Sequence, residues 1–165
     1  MRILGIDPGL AAVGWGLIVY PEGGPADVQW GTITTAAGIP LPSRLREIHD
    51  GVAQLIRDVQ PDAISVEELF FATNVKTAFT VAQARGVIVL ATSESGVEVA
   101  EYTPLQIKKA VTGRGKAGKT QVQKMVAHLL GLQEIPRPDH AADALAAALC
   151  HGHSLKMIRI TGLGR

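Results

Sequence analysis

Cysteine, aromatic residues and long apolar runs are all scarce in this chain of 165 residues. The one cysteine, Cys150, excludes an intrachain disulfide and fits a reducing cytosol. Aromatic residues make up only 4 % of the chain, so the core must be built from Val, Ile, Leu and Ala. No apolar run reaches the roughly 18 residues of a membrane span, and the apolar start of MRILGID is too short for a signal peptide. We therefore expect a soluble, cytoplasmic protein with one domain and no membrane contact.

Acidic residues are missing from Tyr102 to Gln133, although basic residues are common there. The basic residues of this segment are Lys108, Lys109, Arg114, Lys116, Lys119 and Lys124. The segment thus carries +6, and because the whole chain carries +1, the remainder carries about −5. A face exposed only to water would mix both signs. The separation of charge predicts an anionic partner at one face.

Five apolar, β-branched segments predict strands. They are ILGID, VGWGLIVY, VQWGTITT, AISVEE and VEVAEY. The first three are joined by short connections and should form an antiparallel meander. The fourth follows a helix and should run parallel to the first. The order predicts an α/β fold with a mixed five-stranded sheet and helices on both of its faces.

Helical periodicity and capping residues predict the helices. Ser43 is expected to cap a helix with apolar residues from Leu45 to Val59, and a long helix should cover about 75–93. Thr103 should cap a helix that has Pro104 at its first position. After the glycine-rich break GRGKAG, a helix is expected at 119–131 and a last one at 141–150. No repeat, low-complexity segment or long linker divides the chain.

Two carboxylates lie at predicted strand ends. Asp7 ends the first strand and is followed by the turn residues Pro8 and Gly9, whereas Glu67 ends the fourth strand. Ligands of such sheets gather at the carboxyl ends of parallel strands. Asp7 alone is also explained by hydrogen bonds within its own turn. Glu67 closes an apolar strand, where an uncompensated carboxylate is costly unless it is paired or bound to a metal.

The last helix begins with PDHAAD, which places charge at the start of an otherwise alanine-rich core helix. Asp139 suits an N-cap. His140 and Asp143 are three residues apart and share one helix face. A plain alternative makes Asp143 a carboxylate that stabilises the helix dipole and His140 an exposed imidazole. If this helix end meets the sheet edge, Asp7, Glu67, His140 and Asp143 converge, and such a cluster predicts a site for divalent cations.

Two hard cations held by carboxylates suit the hydrolysis of a phosphodiester, a reaction that needs no covalent protein nucleophile. The chain offers no convincing serine or cysteine constellation for one. A metal-dependent nuclease is therefore the function that these residues favour.

The motifs GIDPGLAAVGWG, VEELFFATN, AQARG, the lysine-rich segment near 108–124 and DHAADALA together resemble the RuvC Holliday junction resolvases. The resemblance covers residues 1 to about 153, which are expected to form one ribonuclease H-like nuclease domain, with 154–165 as a C-terminal tail that is either disordered or in contact with DNA. It implies a homodimer that resolves four-way DNA junctions in recombination and repair. It also implies two Mg²⁺ or Mn²⁺ ions per active site and RuvA and RuvB as branch-migration partners.

The resemblance assigns roles to individual residues. The family's four acidic catalytic and metal-binding positions fall on Asp7, Glu67, His140 and Asp143. His140 replaces the more common Asp, and a histidine version also occurs in the family. Because imidazole is a poorer ligand than carboxylate for Mg²⁺ and a better one for transition metals, we expect more activity with Mn²⁺.

The expected DNA-binding residues surround this site. The family's DNA-contacting lysines match Lys108 and Lys119, and Phe70 matches an aromatic residue that stacks on exposed bases. A simple alternative is that Phe70 packs beneath a loop. Arg114 and Lys116 lie on the glycine-rich loop, which could follow a phosphate backbone.

Other functions remain possible from the sequence. GRGKAGKT satisfies the phosphate-loop pattern of NTPases, but a predicted helix precedes it where that motif needs a strand. The actin-like ATPases share the first turn but need two lobes. A junction-binding protein that does not cut would keep the basic segment without needing metal ligands. A nuclease of the same fold that acts on another branched, duplex or RNA–DNA hybrid substrate is the closest alternative.

Overall fold

The computed structural model describes residues 1–21, 27–68 and 75–161. Within these ranges the strands form one five-stranded sheet of order β3-β2-β1-β4-β5. The strands are β1 (Arg2–Asp7), β2 (Ala12–Val19), β3 (Asp27–Thr34), β4 (Ala63–Glu67) and β5 (Glu98–Tyr102). β1, β2 and β3 pair antiparallel, and β4 is parallel to both β1 and β5. The predicted meander, the parallel fourth strand and the mixed sheet are confirmed.

The helices of the described ranges alternate with the strands and then follow them. They are α1 (Leu41–Val59), α2 (Val75–Glu94), α3 (Pro104–Thr112), α4 (Lys119–Leu129) and α5 (Asp139–Thr161). None of them combines the length and the apolar character that a membrane crossing requires.

Two predicted helix boundaries differ from the structure by more than two residues. α1 begins at Leu41 with Pro40 at the N-cap position and with a proline in its first two positions, so Ser43 lies inside the first turn and caps nothing. Proline fixes the backbone angle that a first turn needs, which moves the start towards the N-terminus. α5 continues through residue 153, so 154–161 of the expected tail are helical, while 162–165 lie outside the described residues.

Helices cover both faces of the sheet, as predicted, because residues of β1 alternate between two cores. Leu4 and Ile6 pack with α1 and α2, whereas Ile3 packs with α3, α4 and α5. Successive side chains of a strand point to opposite faces, so Asp7 belongs to the same face as Ile3, which is the face that α5 covers.

Glycines let α5 lie directly on the backbone of β1 and β2. A Cβ atom on Gly5 would lie 1.9 Å from the carbonyl oxygen of Ala144, and one on Gly14 would lie 2.0 Å from the carbonyl oxygen of His140. Alanines on α5, such as Ala144 and Ala148, complete this close packing and are fully buried. The first turn of α5 is thereby fixed against the ends of the central strands.

Candidate active site

Asp7 and Glu67 project from the same end and the same face of the sheet. β1 and β4 are parallel neighbours with Ile6 opposite Val66, so the next residue of each strand is the carboxylate. Ser65, two residues before Glu67, donates a hydrogen bond of 2.9 Å from its hydroxyl to the carbonyl of Ala147 in α5. The pleat therefore directs Glu67 towards α5 as well.

The first turn of α5 brings two more ligand groups to this edge. The Nδ1 atom of His140 lies 2.7 Å from the Oδ2 atom of Asp7, although 133 residues separate them in the chain. Ligand atoms of Asp7, His140 and Asp143 all lie within 4.8 Å of one another. His140 and Asp143 share a helix face, as their spacing predicted, and the tight contact at Gly14 holds that face beside Asp7.

Glu67 lies beside this group and lines an open cavity of about 200 Å³. The cavity is also lined by Pro104, Ile107, Lys108, Lys119, Val122, Asp143 and Ala146. Both predicted lysines thus face the same space as two of the predicted acidic residues. Lys119 forms an ion pair with Asp143, with 3.0 Å between its Nζ atom and Oδ2.

The cluster brings four ionisable groups together in a partly buried environment. Burial, and then the negative charges of Asp7 and Asp143, raise the pKa of Glu67 to about 8. Burial also raises the pKa of Asp143, against the opposing effect of its hydrogen bond with Lys119. The hydrogen bond with Asp7 raises the pKa of His140. The carboxylates repel one another, and positive charge between them would relieve that repulsion.

These residues fit a divalent cation. The group contains carboxylate oxygens and one imidazole nitrogen close enough to share an ion, which is the donor set of Mg²⁺, Mn²⁺ and related metals. Burial is the larger cause of the raised pKa of Glu67, and the further rise from the charges of Asp7 and Asp143 is what an anionic site produces. Asp7, Glu67, His140 and Asp143 are the side chains that could hold such an ion.

Asp139 does not act as the predicted N-cap. It is the first residue of α5 itself, and its carboxylate contacts two basic side chains. Its Oδ1 atom accepts a hydrogen bond of 2.8 Å from Arg137, and its Oδ2 atom lies 3.5 Å from Lys119. Both oxygens of the carboxylate are therefore engaged by basic side chains.

The glycine-rich loop between α3 and α4 presents its basic residues to solvent. Arg114 and Lys116 are exposed, and the loop is anchored by Thr112, whose hydroxyl donates a hydrogen bond of 3.0 Å to the carbonyl of Arg114. The loop follows helix α3, so the strand that an NTPase phosphate loop requires is not there. The predicted stacking residue, Phe70, lies outside the described residues.

Some residues of the site were not found from the sequence. Gly5 and Gly14 set the approach of α5, and the glycines at alternate positions of VGWG were a signal for a close backbone contact. Asp139 joins α4 to α5 through Lys119, and no local pattern marks such a contact. Both features concern how the ligand residues are held rather than the ligands themselves.

Comparison with known proteins identifies relatives along nearly the whole chain. The family model of crossover junction endodeoxyribonuclease RuvC matches residues 3–151. The crossover junction endodeoxyribonuclease RuvC of Rubrobacter xylanophilus is 56 % identical over 163 residues, which is 99 % of this chain and 91 % of that protein.

Solved structures give the same result. The RuvC structure of Thermus thermophilus is 38 % identical, has a TM-score of 0.86 and covers 95 % of this chain and 96 % of its own. A structure of T. thermophilus RuvC in complex with a Holliday junction substrate is 35 % identical, with a TM-score of 0.85 over the same shares. The expected ribonuclease H-like fold is confirmed. The carboxylates and the histidine lie together at one sheet edge, and the family model and the relatives match nearly the whole chain. The chain therefore belongs to the RuvC family of crossover junction endodeoxyribonucleases.

Proposed function

We propose that this protein is a Holliday junction resolvase, an endodeoxyribonuclease that hydrolyses phosphodiester bonds in two strands of a four-way DNA junction. The observation that carries the proposal is the meeting of Asp7, His140 and Asp143 within 4.8 Å in a chain of the RuvC family. A RuvC relative that is 35 % identical has been solved with a Holliday junction substrate, which supports the choice of DNA.

Asp7, Glu67, His140 and Asp143 are the proposed catalytic and metal-binding residues. They would hold two divalent cations, Mg²⁺ or Mn²⁺. When bound, such ions activate a water molecule for in-line attack and stabilise the departing oxygen. Asp7 and Glu67 contribute from rigid strand ends, and His140 and Asp143 contribute from a helix fixed on those strands, so the four side chains are held before substrate arrives.

The basic residues have a separate role in binding DNA. Lys108 and Lys119 line the cavity beside Glu67, where they can contact the phosphate to be cut. Arg114 and Lys116 extend this positive surface along the exposed loop and would bind the phosphate backbone without reading sequence. Phe70 is the proposed base-stacking residue at the crossover, a role that follows from the family resemblance.

A homodimer would place two such sites on two strands, and α2 offers a surface for it. Phe79 and Leu90 are 68 % and 51 % exposed on this helix. With the exposed Gln83 and Gly86 they recur at the spacing of one helix face. The two exposed apolar side chains on this face support the proposal that α2 takes part in the dimer contact. We also propose RuvA and RuvB as partners and a cytoplasmic location beside chromosomal DNA. The family resemblance supports both.

The test is cleavage of a synthetic four-way junction by Asp7→Asn. The substitution removes a charged metal ligand and keeps the side-chain shape, so cleavage should fall roughly 100-fold or more while junction affinity stays near wild type. Asp58→Asn, a change of the same kind on the exposed face of α1, is the control and should cut normally. Undiminished cutting by Asp7→Asn would contradict the catalytic role of this residue.

The substrate is tested with the wild type alone. A four-way junction should be cut in preference to linear duplex and RNA–DNA hybrid. Equal or faster cutting of the duplex or the hybrid would instead favour a ribonuclease H-like nuclease with another substrate.

A further inference from the structure

The ammonium group of Lys119 lies between two carboxylates that belong to different parts of the site. Its Nζ atom is 3.0 Å from Oδ2 of Asp143 and 3.5 Å from Oδ2 of Asp139. Asp143 belongs to the group that could hold a metal ion, whereas Asp139 does not. In the metal-free protein Lys119 therefore supplies positive charge where a cation would bind.

Asp139 is well placed to act as a second partner of Lys119. Its other oxygen, Oδ1, is held by Arg137 at 2.8 Å, which fixes the orientation of the carboxylate. Gln123 lies one turn after Lys119 on α4 and is only 5 % exposed. Its Nε2 atom has no partner that meets the full hydrogen-bond geometry among the described residues, yet it lies near enough to Asp139 to lower the pKa of that carboxyl. Asp139 thus meets two residues of the same face of α4.

Binding of a divalent cation must change the partner of Lys119. A cation on Asp143 takes up the negative charge that Lys119 neutralises, and it repels the ammonium group. Among the described ion pairs of Lys119, Asp139 is the one that remains. Without Asp139 the lysine would either keep Asp143 from the cation or leave the cavity for solvent.

We propose that Asp139 is a positioning residue that holds Lys119 when Asp143 binds a divalent cation. The lysine moves by a short distance from one carboxylate to the next and stays at the cavity, where it contacts the phosphate of the substrate. Arg137 keeps Asp139 in place for this exchange. The proposal rests on the proposed function, because it takes Asp143 as a metal ligand and Lys119 as a phosphate contact.

Asp139→Asn is the first test, with Mn²⁺ binding measured by calorimetry in the absence of DNA and with single-turnover junction cleavage as a second readout. Lys119 should then compete more strongly for Asp143, so Mn²⁺ affinity and the cleavage rate should each fall about 10-fold, at the lower end of the range for residues that support metal ligands. Asp139→Glu keeps the charge and should recover most of both.

Removal of negative charge near a cation weakens binding through space as well, and a double-mutant cycle with Lys119→Met separates the two effects. If Asp139 acts through Lys119, Asp139→Asn has no further effect on Mn²⁺ affinity or on cleavage in the Lys119→Met background. Glu134→Gln, which removes an exposed acid from the loop before α5, is the control for charge and should bind Mn²⁺ as wild type does.

Each outcome decides one point. An undiminished Mn²⁺ affinity in Asp139→Asn, or an equal loss in the Lys119→Met background, overturns the positioning role. Should Asp139→Asn fail to fold, Lys119→Met alone still tests the exchange, because loss of the competing ammonium must raise Mn²⁺ affinity. If the wild type neither binds Mn²⁺ nor cuts the junction, the proposed function itself is wrong.

Discussion

Glu67 is the residue whose ionisation differs most between the folded and the unfolded chain within the active site. Its pKa rises from 4.5 to about 8, first through burial and then through the charges of Asp7 and Asp143. The folded, metal-free protein holds a proton on Glu67 over a pH range in which the unfolded chain has released it. The free energy of unfolding therefore falls as pH rises from about 4.5 to about 8.

Glu67→Gln should remove this pH-dependent fall in the free energy of unfolding. We expect the metal-free variant to be more stable than wild type by roughly 2–4 kcal/mol at pH 8 and nearly equal to it below pH 4.5. Urea unfolding in the presence of a chelator at several pH values measures the difference. Glu68→Gln, which changes the adjacent acid, is the matched control and should follow wild type. A Glu67→Gln variant without added stability at pH 8 would contradict the raised pKa of Glu67 and its origin in burial and nearby charge.

His140 sets the expected metal preference. Its imidazole takes a place where carboxylate would suit Mg²⁺ better, so junction cleavage should be stronger with Mn²⁺ than with Mg²⁺ in matched titrations. His140→Asp should shift the preference towards Mg²⁺. Equal or better cleavage by the wild type in Mg²⁺ would show that the imidazole does not select the metal.

At the scale of elements, the contact of α5 with bare strand backbone controls the geometry of the site. In Gly14→Ala the new Cβ would lie 2.0 Å from the carbonyl oxygen of His140, which is backbone and must shift. We expect a loss of about 2–4 kcal/mol in unfolding free energy and a strong loss of cleavage, because His140 moves away from Asp7.

Chemical denaturation and junction cleavage measure the two effects of Gly14→Ala. The control is Gly118→Ala, at a position with a φ of −72° and no atom within 4 Å of the added Cβ. Its stability should change by no more than about 1 kcal/mol. An unchanged free energy of unfolding in Gly14→Ala would mean that α5 can move away from the sheet without loss of stability.

The elements also show what local sequence does and does not determine. Thr103 forms the predicted cap, and its hydroxyl and the side chain of Gln106 complete a capping box, because all of the partners are adjacent in the chain. Asp139 also has a side chain that favours the N-cap position, yet its carboxylate pairs with Lys119. Only the packing of α4 on α5 brings these two residues together. Gly152 lies inside α5, where an added Cβ would be 2.6 Å from the hydroxyl of Tyr20, the residue after β2, so this contact too depends on distant packing.

The convergence of the proposed metal ligands was predictable for a related reason. Asp7 and Glu67 end strands whose order and direction follow from the sequence of elements, and His140 and Asp143 have helical spacing. The distances between the two pairs depend on the glycine contacts of α5, which the apolar pattern does not encode. The sequence thus predicted which candidate side chains approach one another, and three-dimensional packing determines how closely they meet.

At the scale of the whole molecule, the uneven distribution of charge should govern DNA affinity. Arg114 and Lys116 are exposed on the loop between α3 and α4, where no acid lies nearby in the chain. If each contacts one phosphate, Arg114→Ala or Lys116→Ala should lower the slope of log affinity against log salt by about 0.9. Arg46→Ala, on the exposed face of α1, should leave it unchanged.

Fluorescence anisotropy with a labelled junction over a range of salt concentrations measures this slope. It is best done with Asp7→Asn and a chelator, so that the DNA remains uncut. A slope that responds equally to Arg46→Ala would show that net charge, and not the loop, sets the affinity.

The pairing of Asp7 with His140 joins the first strand of the chain to its last helix across 133 residues. During synthesis on the ribosome, Asp7, Glu67 and the basic segment all emerge before the helix that completes the cluster. A growing chain can therefore acquire affinity for nucleic acid before it has any means of cutting it. If His140 and Asp143 are catalytic as proposed, hydrolysis begins only when translation has delivered α5, and strand cutting then reports on an intact C-terminal region.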